Sequence, residues 1–261
     1  MELEGKVALV TGAGRGLGRA VSLALAERGA KVVAVARSYS EVDETARIVR
    51  QLYGVGRSLA IPADVTQERD VAEAFDIVRK RWGGVDILVN NAGLTGATRP
   101  IATLSLAEWQ SVMDVNLTGT FLCSREAMRD MARRRWGRII NISSDSAAVA
   151  VPSMAPYSVA KAAVEHLTRL LAAEGASIGV VAMAIRPGLI DTRMQEELRA
   201  RPSDAIPPEL RNLFSAYKQR GHLVPPERPA EIIAYLCSTS RTDELNGRAL
   251  NAHEVEELLA R

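Results

Sequence analysis

Hydrophobic and polar positions along the chain alternate between two textures. Short apolar, β-branched runs stand at "KVALVT" (6–11), "KVVAVA" (31–36), "RSLAIPA" (57–63), "VDILVNN" (85–91), "GRIINIS" (137–143) and "GVVAMAI" (179–185). Between them lie longer stretches with apolar residues at helical spacing; in 17–27 these are Leu17, Ala20, Val21, Ala24 and Leu25. Similar patterning predicts helices near 40–53, 67–82, 105–134 and 155–175. The strand runs are almost continuously apolar, the mark of strands covered on both faces in a parallel sheet. Strand and helix alternating this regularly predict an α/β fold with right-handed crossovers and a doubly wound sheet.

No linker divides the chain and no internal repeat recurs at a fixed period, so residues 1–261 are expected to form one domain. The texture changes only at 193–229, which holds six of the eleven prolines. A stretch that long is usually functional. One or two short helices forming a substrate lid near 193–225 are expected, the alternative being a passive surface excursion.

Composition narrows the picture by exclusion. A formal net charge of +2 creates no global field toward nucleic acid or membrane. Two distant cysteines, Cys123 and Cys237, make a disulfide framework unexpected and fit a reducing cytoplasm. The histidines, His166, His222 and His253, are dispersed, so no metal site is expected. The N-terminus is acidic at once, unlike a signal peptide, and no run reaches the roughly 20 apolar residues that span a bilayer.

Candidate chemistry begins at "TGAGRGLG" (11–18), between a predicted strand and a predicted helix. It does not fit G-x-G-x-x-G: counted from Gly12 the sixth residue is Leu17, and from Gly14 it is Arg19. The physical ingredients of phosphate binding remain. Glycines let backbone N–H groups approach an anion, and a helix starting near Gly16 presents its positive end. A structural turn is the alternative. In "YSVAK", Tyr157 and Lys161 are four apart and share a helix face, with Pro156 suited to the first turn. A neighbouring ammonium favours the phenolate and lowers a tyrosine pKa that is otherwise near 10. The same spacing also suits an ordinary amphipathic helix.

"TGAGRGLG", "NNAG" (90–93), Asn116 in "DVNLTG", "SS" (143–144), "YSVAK" (157–161) and "RPGLIDT" (186–192), in that order and spacing, resemble the short-chain dehydrogenase/reductase family, in its compact single-domain subgroup. The resemblance is strong over roughly 3–193 and weak over 226–251. It implies a Rossmann-like doubly wound parallel sheet of about seven strands with helices on both faces.

It also implies roles. Tyr157 would exchange a proton with the substrate oxygen, and Lys161 would tune the tyrosine and hold the nicotinamide ribose. Ser144 would hydrogen-bond the substrate oxygen, and Asn116 would hold a relay water. Ser143 competes with Ser144, but its spacing to Tyr157 is one residue too long. Gly12, Gly16 and Gly18, with Leu17, would wrap a pyrophosphate; Asp64 and Val65 would meet the adenine, unless Asp64 is only a helix cap. Asn90, Asn91, Ala92 and Gly93 would shape the sheet edge beside the cofactor, and Pro187, Gly188 and Thr192 would border the nicotinamide. Arg37 ends the second strand with no acid at its tip, Glu41 coming later, and Arg15 sits in the glycine loop. Basic residues at these places imply NADP(H), with NAD(H) second.

The implied activity is interconversion of a carbonyl and a secondary alcohol by hydride transfer on a small molecule. The alternatives are a non-catalytic cofactor-sensing regulator and a 3-oxoacyl-carrier-protein reductase. For the last, "RRR" at 133–135 resembles a carrier-docking patch, while Ile178 stands where such enzymes tend to carry an arginine. Asp145 after Ser144 departs from the family pattern, as does the C-terminal "LNGRALNAHEVEELLAR". Apolar residues on several faces, Leu117, Phe121 and Leu122, then Ala162, Ala163, Val164 and Leu167, imply a homodimer or homotetramer.

Overall fold

The computed structural model describes residues 2–202, 204–239 and 244–259. Its strands are β1 (Val7–Thr11), β2 (Lys31–Ala36), β3 (Ser58–Pro62), β4 (Ile87–Asn90), β5 (Gly137–Ile142), β6 (Val180–Arg186) and β7 (Ala249–Asn251). Its helices are α1 (Gly16–Glu27), α2 (Tyr39–Tyr53), α3 (Glu68–Trp82), α4 (Leu106–Met113), α5 (Gly119–Arg134), α6 (Ala155–Gly175), α7 (Arg193–Arg199), α8 (Pro208–Gln219), α9 (Glu227–Ser238) and α10 (Ala252–Leu259). The seven strands form one sheet in the order β3-β2-β1-β4-β5-β6-β7, every pair parallel. The order reverses between β1 and β4, a switch point where clefts form outside the strand ends.

Alternate side chains of each strand feed two separate cores, as the strand period requires. Ala8, Val10, Val32 and Ile140 pack with residues of α1, α2 and α9 on one face. Val7, Leu9, Val33 and Ile139 pack with residues of α3, α5 and α6 on the other. A third, smaller cluster, Met154, Leu198, Ile206, Leu210 and Phe214, joins α7 and α8 to the start of α6, with Val151, Tyr157 and Tyr217 against it. Residue 203, within the expected lid stretch, lies outside the described residues.

The expected continuous helix over 105–134 is interrupted. A π-helical turn, Asp114–Thr118, separates α4 from α5. Asn116 is the reason visible in the geometry: its buried Nδ2 donates to Leu94 O (2.8 Å) and Val112 O (2.9 Å), drawing this turn onto the loop after β4. Such bulges recur at functional sites. No helix among the described residues is long and apolar enough to cross a membrane. Cys123 and Cys237 are buried free thiols.

Candidate active site

The ends of β1, β4, β5 and β6 open into one cavity of about 830 Å³. One half is the glycine turn. Gly12 and Gly16 take left-handed φ of 63° and 52°. Gly18 is required sterically: a Cβ there would collide with Gly12 O and Asn91 Nδ2. Asn91 is the clasp that brings them together. Its Nδ2 donates to Thr11 O (2.9 Å) and Gly12 O (3.2 Å), and Thr11 Oγ1 accepts from the N–H groups of Asn91 and Ala92 (both 3.0 Å). The N-cap of α1, Arg15, supplies no side-chain cap, so no side chain satisfies the helix's first N–H groups from that position. A turn that only glycine can line, facing an uncapped helix start, fits a pyrophosphate.

At the rim of that half stand Leu17, Arg37, Asp64 and Val65. Asp64 both lines the cavity and closes an Asx turn, accepting from Thr66 N (3.0 Å) and Thr66 Oγ1 (2.9 Å). Arg37 is exposed. Arg15 lies 3.9 Å from Glu41 and 3.7 Å from Glu197 of α7. Glu41 is a cavity residue that the strand-tip argument passed over; α2 begins so soon after β2 that its first turn reaches the glycine loop.

The other half holds the reactive candidates. Ser144, Tyr157, Lys161, Ala92, Gly93, Pro187, Gly188 and Thr192 all line the cavity. Two expected residues do not. Asn116 is fully buried with its amide committed to the Leu94 backbone, Oδ1 accepting from Leu94 N (3.3 Å). Gly93 lies against it: a Cβ on Gly93 would sit 3.1 Å from Asn116 Oδ1 and 3.7 Å from Lys161 Nζ. Asn90 turns inward, donating to Asn141 Oδ1 (2.8 Å) and Ser124 Oγ (3.0 Å).

The two adjacent serines separate clearly. Ser143 donates to Glu165 Oε1 (2.7 Å), whereas Ser144 Oγ accepts from Ser146 N (3.3 Å) and Ser146 Oγ (3.1 Å) and lies near enough to Tyr157 to act on its phenol. Lys161 donates to Ile142 O (2.7 Å), and its Nζ is 5.6 Å from the centre of the Tyr157 ring. Burial pushes the ammonium down to about 8. Burial pushes the Tyr157 phenol up, the Ser144 hydroxyl opposes the rise, and Asp145 adds to it. This half is walled by Leu94, Val151, Met154, Leu198, Phe214 and Tyr217, most of them drawn from the long 193–229 stretch and the loop before α6. Among the described residues no group of three or more His, Cys, Asp or Glu could hold a metal ion.

A doubly wound parallel sheet whose switch-point cavity joins a glycine turn to a Ser–Tyr–Lys cluster defines a dinucleotide-dependent oxidoreductase architecture. The chain belongs to the short-chain dehydrogenase/reductase family: the model described as short chain dehydrogenase matches residues 6–203. A 3-oxoacyl-[acyl-carrier-protein] reductase of Synechocystis sp. is 37% identical over 249 residues, 95% of this chain and 96% of that protein. A cis-4-hydroxycyclohexanecarboxylate dehydrogenase of Sinomonas cyclohexanicum is 38% identical over 233 residues, 89% of each chain. The crystal structure of the KRED1-Pglu enzyme superposes with a TM-score of 0.86 at 29% identity, covering 94% of this chain and 100% of that one.

The buried ammonium generates a pH test. The folded pKa of about 8 lies below the ordinary lysine value of 10.5, so the full cost of the charge falls below pH 8. Above about pH 8 the folded state loses the proton first, and the cost fades toward pH 10. Denaturant unfolding at several pH values should show wild type gaining on the order of 3 kcal/mol relative to Lys161→Met across that window. A difference independent of pH would refute the buried charge.

Proposed function

We propose that this chain interconverts a carbonyl and a secondary alcohol by hydride transfer, with NADP(H) preferred over NAD(H) and Tyr157 as the acid/base. The observation that carries the reading is the single cavity shared by the glycine turn and the Ser144–Tyr157–Lys161 cluster. The bound nicotinamide supplies or accepts the hydride. Tyr157 donates its proton to the carbonyl oxygen, and its raised pKa keeps the phenol in the donating form. Ser144 Oγ hydrogen-bonds the same oxygen as charge develops on it. Lys161 is held by Ile142 O at 2.7 Å, lines the cavity, and would hold the ribose hydroxyls of a bound cofactor. Asn116 keeps the Gly93–Leu94 turn in register with Lys161 and supports the relay. The residues from 193 to 225 act as the lid, and their apolar walls favour a ketone with a bulky apolar substituent.

The carrier-protein reading has the Synechocystis relative behind it. The arginine run offers it little. Arg134 is paired with the buried Asp86 (2.7 Å) and Arg135 donates to Ser177 O (3.2 Å), leaving only Arg133 without a partner among the described residues. A regulator that only senses the cofactor would have no use for the Tyr157–Lys161 pair. Exposed Phe121 on α5 and Val159 and Leu170 on α6 support assembly into a homodimer or homotetramer. Light scattering at micromolar concentration should report a mass at least twice that of the chain.

Tyr157→Phe should lower kcat by about 10²–10⁴-fold while the dissociation constant for NADPH stays near wild type. Turnover above about a tenth of wild type, on a ketone for which chemistry is rate-limiting, would overturn the assignment.

Cofactor choice rests on the two arginines. A hydrogen bond to a charged group contributes roughly 1.5–3 kcal/mol, on the order of 10- to 100-fold in affinity. Arg37 should be worth the larger share, because Arg15 must first leave Glu41 and Glu197. Fluorescence titration should give tighter binding of NADPH than NADH, with Ala36→Asp plus Arg37→Ile reversing the order. Tighter NADH binding by wild type would refute NADP(H) preference.

A further inference from the structure

We infer that Glu165 is a positioning residue for the reaction centre, one carboxylate that locks the two chain segments bearing Ser144, Tyr157 and Lys161 to the end of β6, which leads into Pro187 and Gly188. The inference rests on the reading of Ser144, Tyr157 and Lys161 given above. Glu165 follows Tyr157 and Lys161 at successive four-residue steps, so all three share one face of α6. Its Oε1 accepts from Ser143 Oγ (2.7 Å) and from Arg186 Nε (2.7 Å), and its Oε2 accepts from Arg186 Nη2 (2.8 Å). Ser143 immediately precedes Ser144 on the segment leaving β5. Arg186 ends β6 and immediately precedes Pro187 and Gly188, which line the cavity.

Three turns of α6 therefore meet three successive residues at the end of β5. Tyr157 meets the Ser144 hydroxyl, Lys161 meets Ile142 O, and Glu165 meets the Ser143 hydroxyl. Of the three, only Glu165 also reaches β6, through a bidentate guanidinium pair that fixes orientation as well as distance. The Glu165 side chain is only 11% exposed and that of Arg186 23%. An ion pair that far from water is weak evidence for net stability, because desolvation offsets the attraction. Its distinctive contribution is geometric. Without Glu165, the Ser143 hydroxyl loses its acceptor one residue from Ser144. The Arg186 cation is then left to Asp145 and Glu254, the other carboxylates whose charge acts on it. A shift of about 1 Å in a reacting group can cost on the order of 100-fold in rate.

The test compares wild type with Ser143→Ala, Glu165→Ala and Glu165→Gln. Single-turnover hydride transfer is followed at saturating NADPH or NADH, whichever binds more tightly. The substrate is the best turned over of acetophenone, cyclohexanone and ethyl acetoacetate, and rates are normalised to the titrated fraction of cofactor-binding sites. Glu165→Ala should slow the step at least tenfold and Ser143→Ala at least threefold, with cofactor affinity within about threefold of wild type. Glu165→Gln keeps an acceptor for Ser143 and should recover to within about threefold of wild type. A purely structural role would lower Tm and the active fraction without changing the rate per site. A Glu165→Ala rate within twofold of wild type overturns the inference. Should that variant fail to fold, a Ser143→Ala rate within twofold overturns it instead. Wild type that binds cofactor yet reduces no ketone overturns the parent reading and this inference together, whereas active wild type with equally fast variants overturns the inference alone.

Discussion

The close approach of β1 to the start of α1 is the constraint on which the site depends. Gly18 must pass within contact of Gly12 O, and Asn91 Nδ2 occupies the remaining space while donating to two carbonyls of the turn. Any side chain at Gly18 would push α1 away from the sheet, and the floor of the cavity would move with it. The clasp also ties β4 to β1 beyond the last ladder bond, because Thr11 Oγ1 takes the N–H groups of both Asn91 and Ala92. The two strands at the switch point thus end together, and the loop after β4 is delivered to Asn116 and Lys161.

From that floor the polar interior extends across the sheet. Asn90 donates to Asn141 on the neighbouring strand, Asn141 donates to Thr168 Oγ1 (2.8 Å), and Thr168 donates to Val164 O (2.8 Å). The first two bonds cross from β4 to β5 and from β5 to α6, and the third closes back onto α6 itself. A buried chain of donors of this kind favours one arrangement of its elements more sharply than apolar packing does, although Asn90 Oδ1 itself takes no hydrogen bond. It lies directly behind Lys161 and Glu165, so α6 is held to the sheet by polar contacts along the whole stretch that faces the cavity.

Much of this was legible in the residues. Six of the seven strands declared themselves because burial on both faces makes them continuously apolar, whereas the three-residue β7 was too short to show a pattern, and the glycine turn became readable through its register with the other motifs. The π-helical turn at Asp114–Thr118 was not legible, since apolar periodicity runs on through it and its cause is the distant Leu94 backbone. Glu41 was set aside as lying beyond the strand tip, because reach along the chain is a poor guide where a helix turns back over the preceding loop. The direction of the Tyr157 shift depends on burial and on Asp145, neither of which spacing reveals. Half of the apolar cavity wall beside Tyr157 comes from α7 and α8, whose position over the cavity is set by long-range packing rather than by any local pattern.

The third hydrophobic cluster has an evolutionary consequence. Met154, Leu198, Ile206, Leu210 and Phe214 touch neither of the two cores that hold the sheet, so substitutions among them can reshape the substrate wall while the scaffold keeps its stability. That freedom has a boundary, because the Tyr157 ring packs against the same cluster. Drift that widens substrate range by loosening α7 and α8 also loosens the one wall against which the phenol rests. On the proposed roles, the shape of this wall and the seating of the Tyr157 ring are therefore set by one and the same cluster.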